Sequence, residues 1–392
     1  MPSAPDSANG STIRELLFDH IPGDVPDRES AALAAFAEAY VRRLPEDELP
    51  SIPAEELFAE IHDVFHFVDQ RGLDPVAMRV FNPDPDTDGY HASGTVVEVV
   101  ADDGPFLVDS VSNALTRRGL GIARLFHPVI GAVRDDNGRL IDVIHARHAE
   151  RCESVQHVEL DQRLDEDEIR DLDAHLHKVL ADVQRALDDF ESMRAAVHRM
   201  VELARAATAR YDDQEISEAV AFLEWLLDLN FVFLGYREYR IEERPDGPAI
   251  ATDPGSGLGI LSSADGSRFA EPVPLSSLPA DLAQRYAEGH LLVVTKTNRE
   301  STVHRAAKMD YVGLRMIGPD GRVVGEARLI GLFTSKAYMA ESASIPILRR
   351  KLQTILEAED LIEGSHDYKL VVQLYESFPK EDLFAAPISD LR

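Results

Sequence analysis

The chain changes its hydrophobic period near residue 90. Before that point, apolar residues recur at helical spacing within Pro53–Gly72, which predicts a helical N-terminal segment over 12–91, behind a tail at 1–11 that we expect to be disordered. The segment Phe81–Gly89 is dense in Pro, Asp and Gly and marks a boundary. Beyond it, the β-branched run Thr95–Val100 predicts a buried strand.

A tight turn and a helix follow this predicted strand. The turn is Ala101-Asp102-Asp103-Gly104, and Pro105 suits the first helical position because a backbone N–H has no partner within the helix there. Gly119 supplies the C-terminal cap of the helix. The pattern predicts a strand–turn–helix motif.

Further strands are predicted before the next helix. Asn137-Gly138 lies between two apolar runs, which is typical of a tight β-hairpin. Another strand-like run follows at Ser154–Leu160. We therefore expect one β-α-β-β-β domain over 92–164.

A long amphipathic helix is predicted to begin near Asp165, which has capping-box spacing with Glu168. Its apolar positions are three or four residues apart, and the helix would reach Ala206 if unbroken. These positions are Ile169, Leu172, Leu176, Val179, Val183, Ala186, Phe190, Met193, Val197 and Met200. Such a stripe predicts packing along another helix, of the same chain or of a second subunit. The candidate interface residues of this connector, 165–229, are Leu176, Val183 and Phe190.

The remaining residues, 230–392, predict a second module. A strand is expected at Phe231–Ile241, and a hairpin joins Tyr311–Ile317 to Val323–Phe333 through the turn Gly318-Pro319-Asp320-Gly321. Two C-terminal helices, IPILRRKLQTIL and YKLVVQLYESF, complete the module. The whole chain is therefore predicted to be α+β, with a β-α-β sandwich module and a second, antiparallel α+β module, joined by long helices and preceded by a small helical segment.

The composition narrows the classes of partner. The 70 Asp and Glu residues outnumber the 40 Lys and Arg residues and give a formal charge of −30. Nucleic acid and anionic membrane surfaces are bound through cationic contacts, so neither partner is expected. The single cysteine, Cys152, cannot form an internal disulfide, which fits a reducing compartment, and we expect a cytoplasmic protein.

Motifs of catalysis are weak in this sequence. The stretch Gly255–Gly259 has GxGxG spacing rather than the dinucleotide fingerprint GxGxxG, and we interpret it as a flexible surface loop. His62 and His66 lie four residues apart on a predicted helix but have no third ligand nearby, so a structural role is favoured over a metal site. Most carboxylates are assigned to solvated helical faces. We expect no catalytic residue, no metal and no cofactor within this chain.

The turn before the first predicted helix of the β-α-β-β-β domain is the sharpest candidate for a ligand site. Glycine lets the backbone approach a ligand closely, and a helix N-terminus presents unpaired N–H groups. The effector-binding candidates are Asp102, Asp103, Gly104, Phe106 and Ser110. The alternative is that Asp102, Asp103 and Asp109 only cap the helix. Because the acidic side chains would compete with a carboxylate, a ligand here should offer a cation.

A basic triplet, Arg349-Arg350-Lys351, is unusual in so acidic a chain. Its cations are expected to pair with carboxylates across a domain or subunit interface, where they would fix register. Arg349 and Arg350 are therefore further interface candidates.

Six segments taken together resemble one known family. In chain order they are DDGPFLVDSVSNALTRRG, FHPVIGAVRDDNG, STVHRAAKMDYVGLR, GRVVGEARLIGLFTSKAY, IPILRRKLQTIL and LYESFPKEDLF. Their order and spacing closely resemble the N-terminal part of the large bacterial NAD-specific glutamate dehydrogenases. The resemblance runs from about Thr95 to Phe384.

The resemblance implies a fold and a function. In that family the N-terminal region carries ACT-like and other α+β modules, whereas the nicotinamide site and the catalytic lysine lie far downstream. NAD is then the cofactor of the full-length enzyme, which deaminates L-glutamate to 2-oxoglutarate and ammonia. The expected partners are other domains of the same polypeptide, identical subunits and an amino-acid effector. A purely architectural module without a ligand is the alternative.

One feature departs from the standard ACT pattern. An ACT unit runs β-α-β-β-α-β, whereas here the last strand-like run precedes the long helix. The first module is therefore expected to be only ACT-like.

Overall fold

The computed structural model describes residues 27–42, 52–245, 247–263, 267, 269–279 and 289–392. The tail expected at 1–11 lies outside these residues. The chain divides into two compact units. The first, here called unit 1, comprises Met1–Val183 and Thr302–Arg305, and the second, unit 2, comprises Gln184–Ser301 and Ala306–Arg392.

Unit 1 is built on a six-stranded sheet in which every pairing is antiparallel. Its strands are β1 (Val76–Phe81), β2 (Val96–Asp102), β3 (Ile122–Phe126), β4 (Val129–Arg134), β5 (Leu140–Ile144) and β6 (Cys152–Leu160). The order is β1-β2-β6-β4-β5, and β3 also pairs with β6. Strand β6 is therefore the centre of the sheet, and eight of its nine positions are buried.

Two strands of unit 1 differ from the sequence prediction. Strand β1 lies within 12–91, which was predicted to be helical throughout; its six positions are all half-buried, so it lacks the alternation typical of a strand with one buried face. The apolar run before Asn137-Gly138 forms two strands, β3 and β4, rather than one. The predicted hairpin itself is confirmed by the pairing of β4 with β5.

Among its described residues, unit 1 has the starts of four helices: α1 (Asp27–Val41), α2 (Ala54–Gln70), α3 (Leu107–Arg117) and α4 (Glu166–Asp188). The stripe of α2 is buried together with side chains of α1 and of the sheet. Members of this core include Phe36, Ile61, Phe65, Val100, Phe126 and Val155. One turn of 3-10 helix, Ala146–His148, precedes β6.

The long helix predicted from Asp165 to Ala206 is broken at Asp189. Helix α4 ends at Asp188, and α5 (Phe190–Arg205) follows. Asp189 has φ −92° and ψ 5°, outside the helical region, and its carboxylate accepts a hydrogen bond from the backbone N–H of Gly259 at 2.7 Å. The capping box at the other end is confirmed, because Asp165 and Glu168 each accept the other's backbone N–H at 2.9 Å.

Unit 2 contains a seven-stranded sheet, also antiparallel throughout. Its strands are β7 (Phe231–Glu242), β8 (Ala249–Thr252), β9 (Leu258–Gly259), β10 (Val273–Pro274), β11 (Leu292–Glu300), β12 (Lys308–Ile317) and β13 (Val323–Phe333). The order is β10-β8-β7-β13-β12-β11, with β9 on β7. The interpretation of Gly255–Gly259 as a flexible loop is wrong at its end, since Leu258 and Gly259 pair with β7.

Helices cover the sheet of unit 2. They are α5, α6 (Asp213–Trp225), α7 (Ser335–Met339), α8 (Leu348–Ala358), α9 (His366–Ser377), α10 (Lys380–Ala385) and α11 (Ile388–Leu391), with 3-10 turns at Ala207–Ala209, Leu275–Ser277 and Ser342–Ser344. Helix α6 passes into a π-turn, Leu226–Asn230, in which Leu229 has a φ of 54°. The core of this unit joins α5, α6, α8 and α10 to strands β7 and β11–β13.

The fold class is α+β, as predicted, and both sheets are antiparallel with helices packed against them. Within the described ranges, every helix is too short or too polar to cross a membrane.

Candidate functional site

The predicted effector loop of unit 1 begins with an acid that is already paired. The Asp102 carboxylate lies 2.7 Å from the Arg71 guanidinium and 2.8 Å from that of Arg151. Burial alone would raise the pKa of Asp102, but the hydrogen bonds from Arg151 and Arg71 outweigh it and lower the pKa. The cation expected at this position is therefore supplied by the chain itself.

The helix start differs in detail from the prediction. Helix α3 begins at Leu107 rather than Pro105, because Phe106 adopts the left-handed conformation with a φ of 74°. No side chain caps α3, so the alternative of an acidic cap is not what the structure has. The Asp103 side chain is exposed, Gly104 is half-buried, and the Asp103 N–H donates to the Cys152 carbonyl.

Phe106 and Ser110 contact His304, which belongs to the same compact unit. The Ser110 hydroxyl is buried and accepts the His304 backbone N–H at 2.9 Å. The rings of Phe106 and His304 have centroids 4.9 Å apart, and His304 Nδ1 lies 2.9 Å from Asp109 Oδ2. A ligand at this helix start would have to replace His304.

Strands of the same sheet and helix α2 contribute a network of buried and half-buried charged side chains, here called the unit 1 ion network. Its acids are Glu60, Asp63, Glu98 and Glu159, and its bases are Arg79, Arg124 and His157. The Arg124 guanidinium lies 2.7 Å from both oxygens of Glu60 and 3.0 Å from Glu159. Arg79 bridges Glu98 and Asp63 at 2.6 and 2.7 Å.

His157 lies at the centre of this network and is fully buried. Its Nδ1 is 2.9 Å from Glu98 Oε1, and its Nε2 is 3.7 Å from Glu159 Oε1. Burial alone would lower the pKa of His157, but the charge of Glu60 and the oxygens of Glu159 and Glu98 raise it to about 10. The imidazole is therefore a cation at neutral pH.

Three of these groups have the spacing of a metal site. Glu60, His157 and Glu159 each place one ligand atom within 4.8 Å of the others. The Arg124 guanidinium already bridges the two carboxylates. A metal ion would have to displace that guanidinium before it could bind.

The assignment of carboxylates to solvated helical faces is wrong for this network. Glu60 lies on the buried face of α2, and Glu98 and Glu159 lie on central strands with apolar neighbours on both sides. Their position within β-branched strands is the signal that could have identified them. Of the histidines His145, His148 and His157, only His157 is buried; His145 and His148 lie in or beside the 3-10 turn.

Unit 2 contains a cavity of about 440 Å³, here called the arginine cavity. Its described walls come from α6, from Gly289 to Thr295, from β12, from the start of α8 and from 384–388. The polar side chains that line it are those of Glu215, Glu218, His290, Thr295, Arg315, Arg350, Lys351 and Thr354. The apolar ones include Leu292, Val294, Ile347, Phe384 and Ile388.

The two arginines of this cavity form no ion pair with any described residue. Arg315 is 3% exposed, and its guanidinium donates to the Gly289 carbonyl and, at 3.3 Å, to the Tyr211 hydroxyl. Arg350 is half-buried, and only its backbone carbonyl has a hydrogen bond, from Thr354. Sequence analysis singled out Arg350 through the basic triplet but did not identify Arg315.

The two described glutamates that line the arginine cavity are bound to neighbouring groups of its walls. Glu218 accepts the Ile347 N–H at 2.8 Å and pairs with Arg349 at 2.8 Å. Glu215 accepts the Leu291 N–H at 2.8 Å. Burial alone would raise the pKa of Glu215, but hydrogen bonds from His290 and Leu291 and the charge of Arg350 lower it.

Lys351 holds another wall in place. Its ammonium donates to three carbonyls, those of Leu383, Phe384 and Ala386, at 2.7, 2.9 and 2.7 Å. An ammonium has three N–H donors, so none is left for a ligand. Burial lowers the pKa of Lys351 to about 8.

Ile347 gives this cavity an unusual backbone. It precedes α8 with a φ of 73° and a ψ of −52°, a conformation that is rare for a β-branched residue. The hydrogen bond from its N–H to Glu218 holds it there.

The candidate interface residues lie in different surroundings. Leu176 and Val183 are fully buried, whereas Phe190 is 38% exposed. Arg349 pairs with Glu218 of the same unit, and Arg350 lines the arginine cavity. Assembly of subunits through these residues stays a prediction.

Comparisons with known proteins agree with the resemblance found in the sequence. Residues 36–176 match the family model "Glutamate dehydrogenase, ACT1 domain", and residues 345–392 match "Glutamate dehydrogenase, helical motif 1". The NAD-specific glutamate dehydrogenase of Halomonas elongata is 32% identical over 93% of this chain and 23% of its own length. That of Pseudomonas aeruginosa is 31% identical over 98% of this chain and 24% of its own length.

A relative from Mycobacterium tuberculosis, with the same name, is 28% identical over 74% of this chain and 17% of its own length. The chain thus spans about a quarter of the length of the first two relatives. The family predicted from the six sequence segments is confirmed. The chain belongs to the family of NAD-specific glutamate dehydrogenases, in which it corresponds to the region that carries the ACT1 domain and helical motif 1.

Proposed function

We propose that this chain is a regulatory region of an NAD-dependent glutamate dehydrogenase, which binds a small effector and leaves catalysis to other residues of the enzyme. The observation that carries the proposal is the match of residues 36–176 to an ACT1 domain, on a unit with an antiparallel α+β fold. The reaction regulated is the conversion of L-glutamate and NAD to 2-oxoglutarate and ammonia, as the names of the relatives suggest.

Sheet topology supports a role without NAD for the described residues. A dinucleotide site of the Rossmann type needs a parallel β-α-β unit, with the pyrophosphate at the start of the helix. Every strand pairing in the two described sheets is antiparallel. Gly259, the last glycine of the GxGxG stretch, donates its N–H to Asp189 rather than lining an open loop.

The charged groups of unit 1 support the same role. Acids and bases of a catalytic site must be able to exchange protons with a substrate. In the unit 1 ion network each carboxylate is held by an arginine, a histidine or a backbone N–H, and Glu60, Glu98 and Glu159 are buried. The network therefore supports a structural rather than a catalytic role for these side chains. We further propose that the enzyme is cytoplasmic, because the single cysteine of these 392 residues is compatible with a reducing compartment.

Calorimetry of the 392-residue chain against the twenty amino acids tests this function. We expect at least one to bind with a Kd below about 1 mM, and no glutamate-dependent reduction of NAD by the chain alone. Silence across the panel would contradict the effector, and appreciable turnover would contradict the non-catalytic role. If the effector lies at the predicted loop, Asp103→Asn should weaken it, whereas Asp161→Asn, in a different loop of the same unit, should not.

A second candidate function is architectural. Three apolar side chains on one face of α9 and just after it, Leu370, Leu374 and Phe378, are 47%, 53% and 51% exposed. They are four residues apart, so they form a continuous stripe. The occupant proposed for this stripe is the same stripe of a second subunit. Light scattering should then show concentration-dependent assembly that Leu374→Glu abolishes and Lys369→Glu, on an adjacent exposed position, does not.

A further inference from the structure

We propose that the arginine cavity of unit 2 binds a small organic carboxylate with an apolar chain, held through Arg315 and Arg350. This proposal rests on the proposed regulatory function, for which it names a ligand class and a site. The cavity lies wholly among residues of unit 2 and shares none with the loop predicted from the sequence.

Burial of the Arg315 guanidinium costs free energy unless an anion compensates for the lost water. A guanidinium that is removed from water is stabilised chiefly by an anion that it can reach. Arg315 is 3% exposed, and both of its hydrogen-bond acceptors are uncharged. Arg237 in the same unit is also buried and donates to two carbonyls, but it does not line the cavity. Arg315 thus differs in facing a space that an anion can enter.

The described carboxylates that line the cavity already have hydrogen-bond partners. Glu218 is bound by Arg349 and by the Ile347 N–H, and Glu215 by the Leu291 N–H and by His290. These contacts build the walls and cannot be released without moving them. Neither guanidinium therefore has a salt bridge or hydrogen bond to a carboxylate of the described residues, although the charge of Arg350 acts on Glu215 at longer range.

The donors and the volume of the cavity favour a planar, small organic anion. Guanidinium groups bind planar carboxylates through paired N–H donors, and two of them suit one carboxylate. The cavity volume of about 440 Å³ is in the range of sites for small molecules and exceeds what a bare inorganic ion would fill. The other walls are apolar, with Leu292, Val294 and Phe384 among them.

Charge distinguishes a carboxylate from a phosphate. Both match a guanidinium fork, but a phosphate carries a larger charge, which is more costly to desolvate beside apolar walls. The donors of Lys351 are all bound to carbonyls and cannot assist with the extra charge. A singly charged carboxylate with an apolar chain therefore fits this cavity best.

The test uses calorimetry on the 392-residue chain with 4-methylpentanoate and phenylacetate as probes. The matched controls are 4-methylpentanamide, which has the same shape without the charge, and inorganic phosphate. We expect the carboxylates to bind and the amide and phosphate to bind at least tenfold more weakly. Arg350→Gln should weaken the carboxylates about tenfold or more, because a charge-assisted pair is lost. The affinity of Arg350→Lys for the carboxylates should lie between those of the wild type and Arg350→Gln.

Arg205→Gln is the matched variant for loss of a cation elsewhere in unit 2. Arg205 pairs with Glu202 and Glu224 and does not line the cavity, so its removal should leave binding unchanged. Because Arg350 is half-buried, its variants should fold, and circular dichroism checks this. Binding unaffected by Arg350→Gln, equal binding of the amide, tighter binding of phosphate, or no binding of either carboxylate would each overturn the proposal.

The two proposals fail in different ways. If an amino acid binds the chain but neither 4-methylpentanoate nor phenylacetate does, the cavity proposal is overturned and the regulatory function is supported. If the carboxylates bind in the cavity and leave glutamate-dependent NAD reduction by the full-length enzyme unchanged, the cavity is supported and the regulatory function is overturned.

Discussion

Arg124 in unit 1 and Arg315 in unit 2 are both largely withdrawn from solvent, with exposures of 17% for the Arg124 side chain and 3% for Arg315. Arg124 contacts two carboxylates, those of Glu60 and Glu159, at hydrogen-bond distance. Arg315 contacts a carbonyl and a hydroxyl. The difference lies in the packing around each guanidinium, since one is enclosed by acids and the other opens onto a cavity.

The comparison separates two uses of buried charge. In the unit 1 ion network, four acids face three bases, so every cation has a fixed partner and the layer is closed. Unit 2 also contains Lys296, a half-buried cation that pairs with Asp310 at 2.7 Å and with Glu381 at 2.9 Å, which shows that its sequence can satisfy such a cation internally. The arginine cavity is therefore a local departure within unit 2.

The largest loss of stability is expected when the unit 1 ion network loses a cation. Arg124→Met should lower the free energy of unfolding by about 3–5 kcal/mol, because Glu60 and Glu159 are left buried without their cation. Urea denaturation of the chain measures this change. Arg170→Met is the control, since Arg170 is 68% exposed and its pairs should contribute less than about 0.5 kcal/mol. Equal effects of the two variants would show that the layer is not closed as described.

The charge of His157 gives the same layer a pH dependence. Its pKa is near 6.5 in an unfolded chain and about 10 when folded, so its contribution is complete below pH 6.5 and is lost as pH rises to about 10. The slope can reach about 1.4 kcal/mol per pH unit, a change of a few kcal/mol over the window. Urea denaturation of wild type and His157→Gln should show a difference in stability that shrinks with pH.

An exposed histidine serves as the control for the pH dependence of stability. His198→Gln changes a surface position of α5 and should leave the pH dependence of stability as in the wild type. A constant difference between wild type and His157→Gln from pH 6 to 10 would mean that His157 is not a cation in the folded state.

A smaller effect is expected at the wall of the arginine cavity. Lys351→Met removes the donor to three carbonyls and should lower the free energy of unfolding by about 2 kcal/mol, because buried acceptors are left unpaired. The control is Lys369→Met, at an exposed position of α9. If thermal unfolding shows no difference between the two variants, Lys351 does not hold residues 383–386 in place.

The smallest change in stability is expected when Arg350 is replaced. This small change would contrast with the large loss expected for Arg124→Met. Arg350→Gln removes a cation that pairs with no carboxylate of the described residues, so the free energy of unfolding should change by less than about 0.5 kcal/mol. Urea denaturation without added carboxylate measures this. A loss comparable with that of Arg124→Met would place Arg350 in a closed network and remove the basis for a ligand site.

Local patterns predicted much of the secondary structure. The run Thr95–Val100 forms most of β2, Asn137-Gly138 forms a hairpin, and Asp165 with Glu168 forms a capping box. Each is decided by residues close in sequence. The break at Asp189 was not predicted because it depends on Gly259, 70 positions away, whose N–H binds the Asp189 carboxylate.

The candidate sites were harder to predict for the same reason. The arginine cavity combines Glu215, Arg315 and Arg350, which come from three separate elements, and no short motif contains them. The partners of Asp102 are Arg71 and Arg151, so the loop singled out from the sequence has its charge satisfied from two other parts of unit 1. A sequence pattern shows which groups are available, whereas the fold determines which of them are already paired.

Ile347 has a consequence for anyone who would redesign this protein. Glycine reaches a φ of 73° without strain, so an idealised backbone would carry glycine at this position, but the change would also remove the packing of the Ile347 side chain against the core of unit 2. The same change would delete an apolar wall of the arginine cavity. A redesign that only idealised the backbone at this position would thus widen the cavity, and its ability to hold a ligand would have to be selected separately.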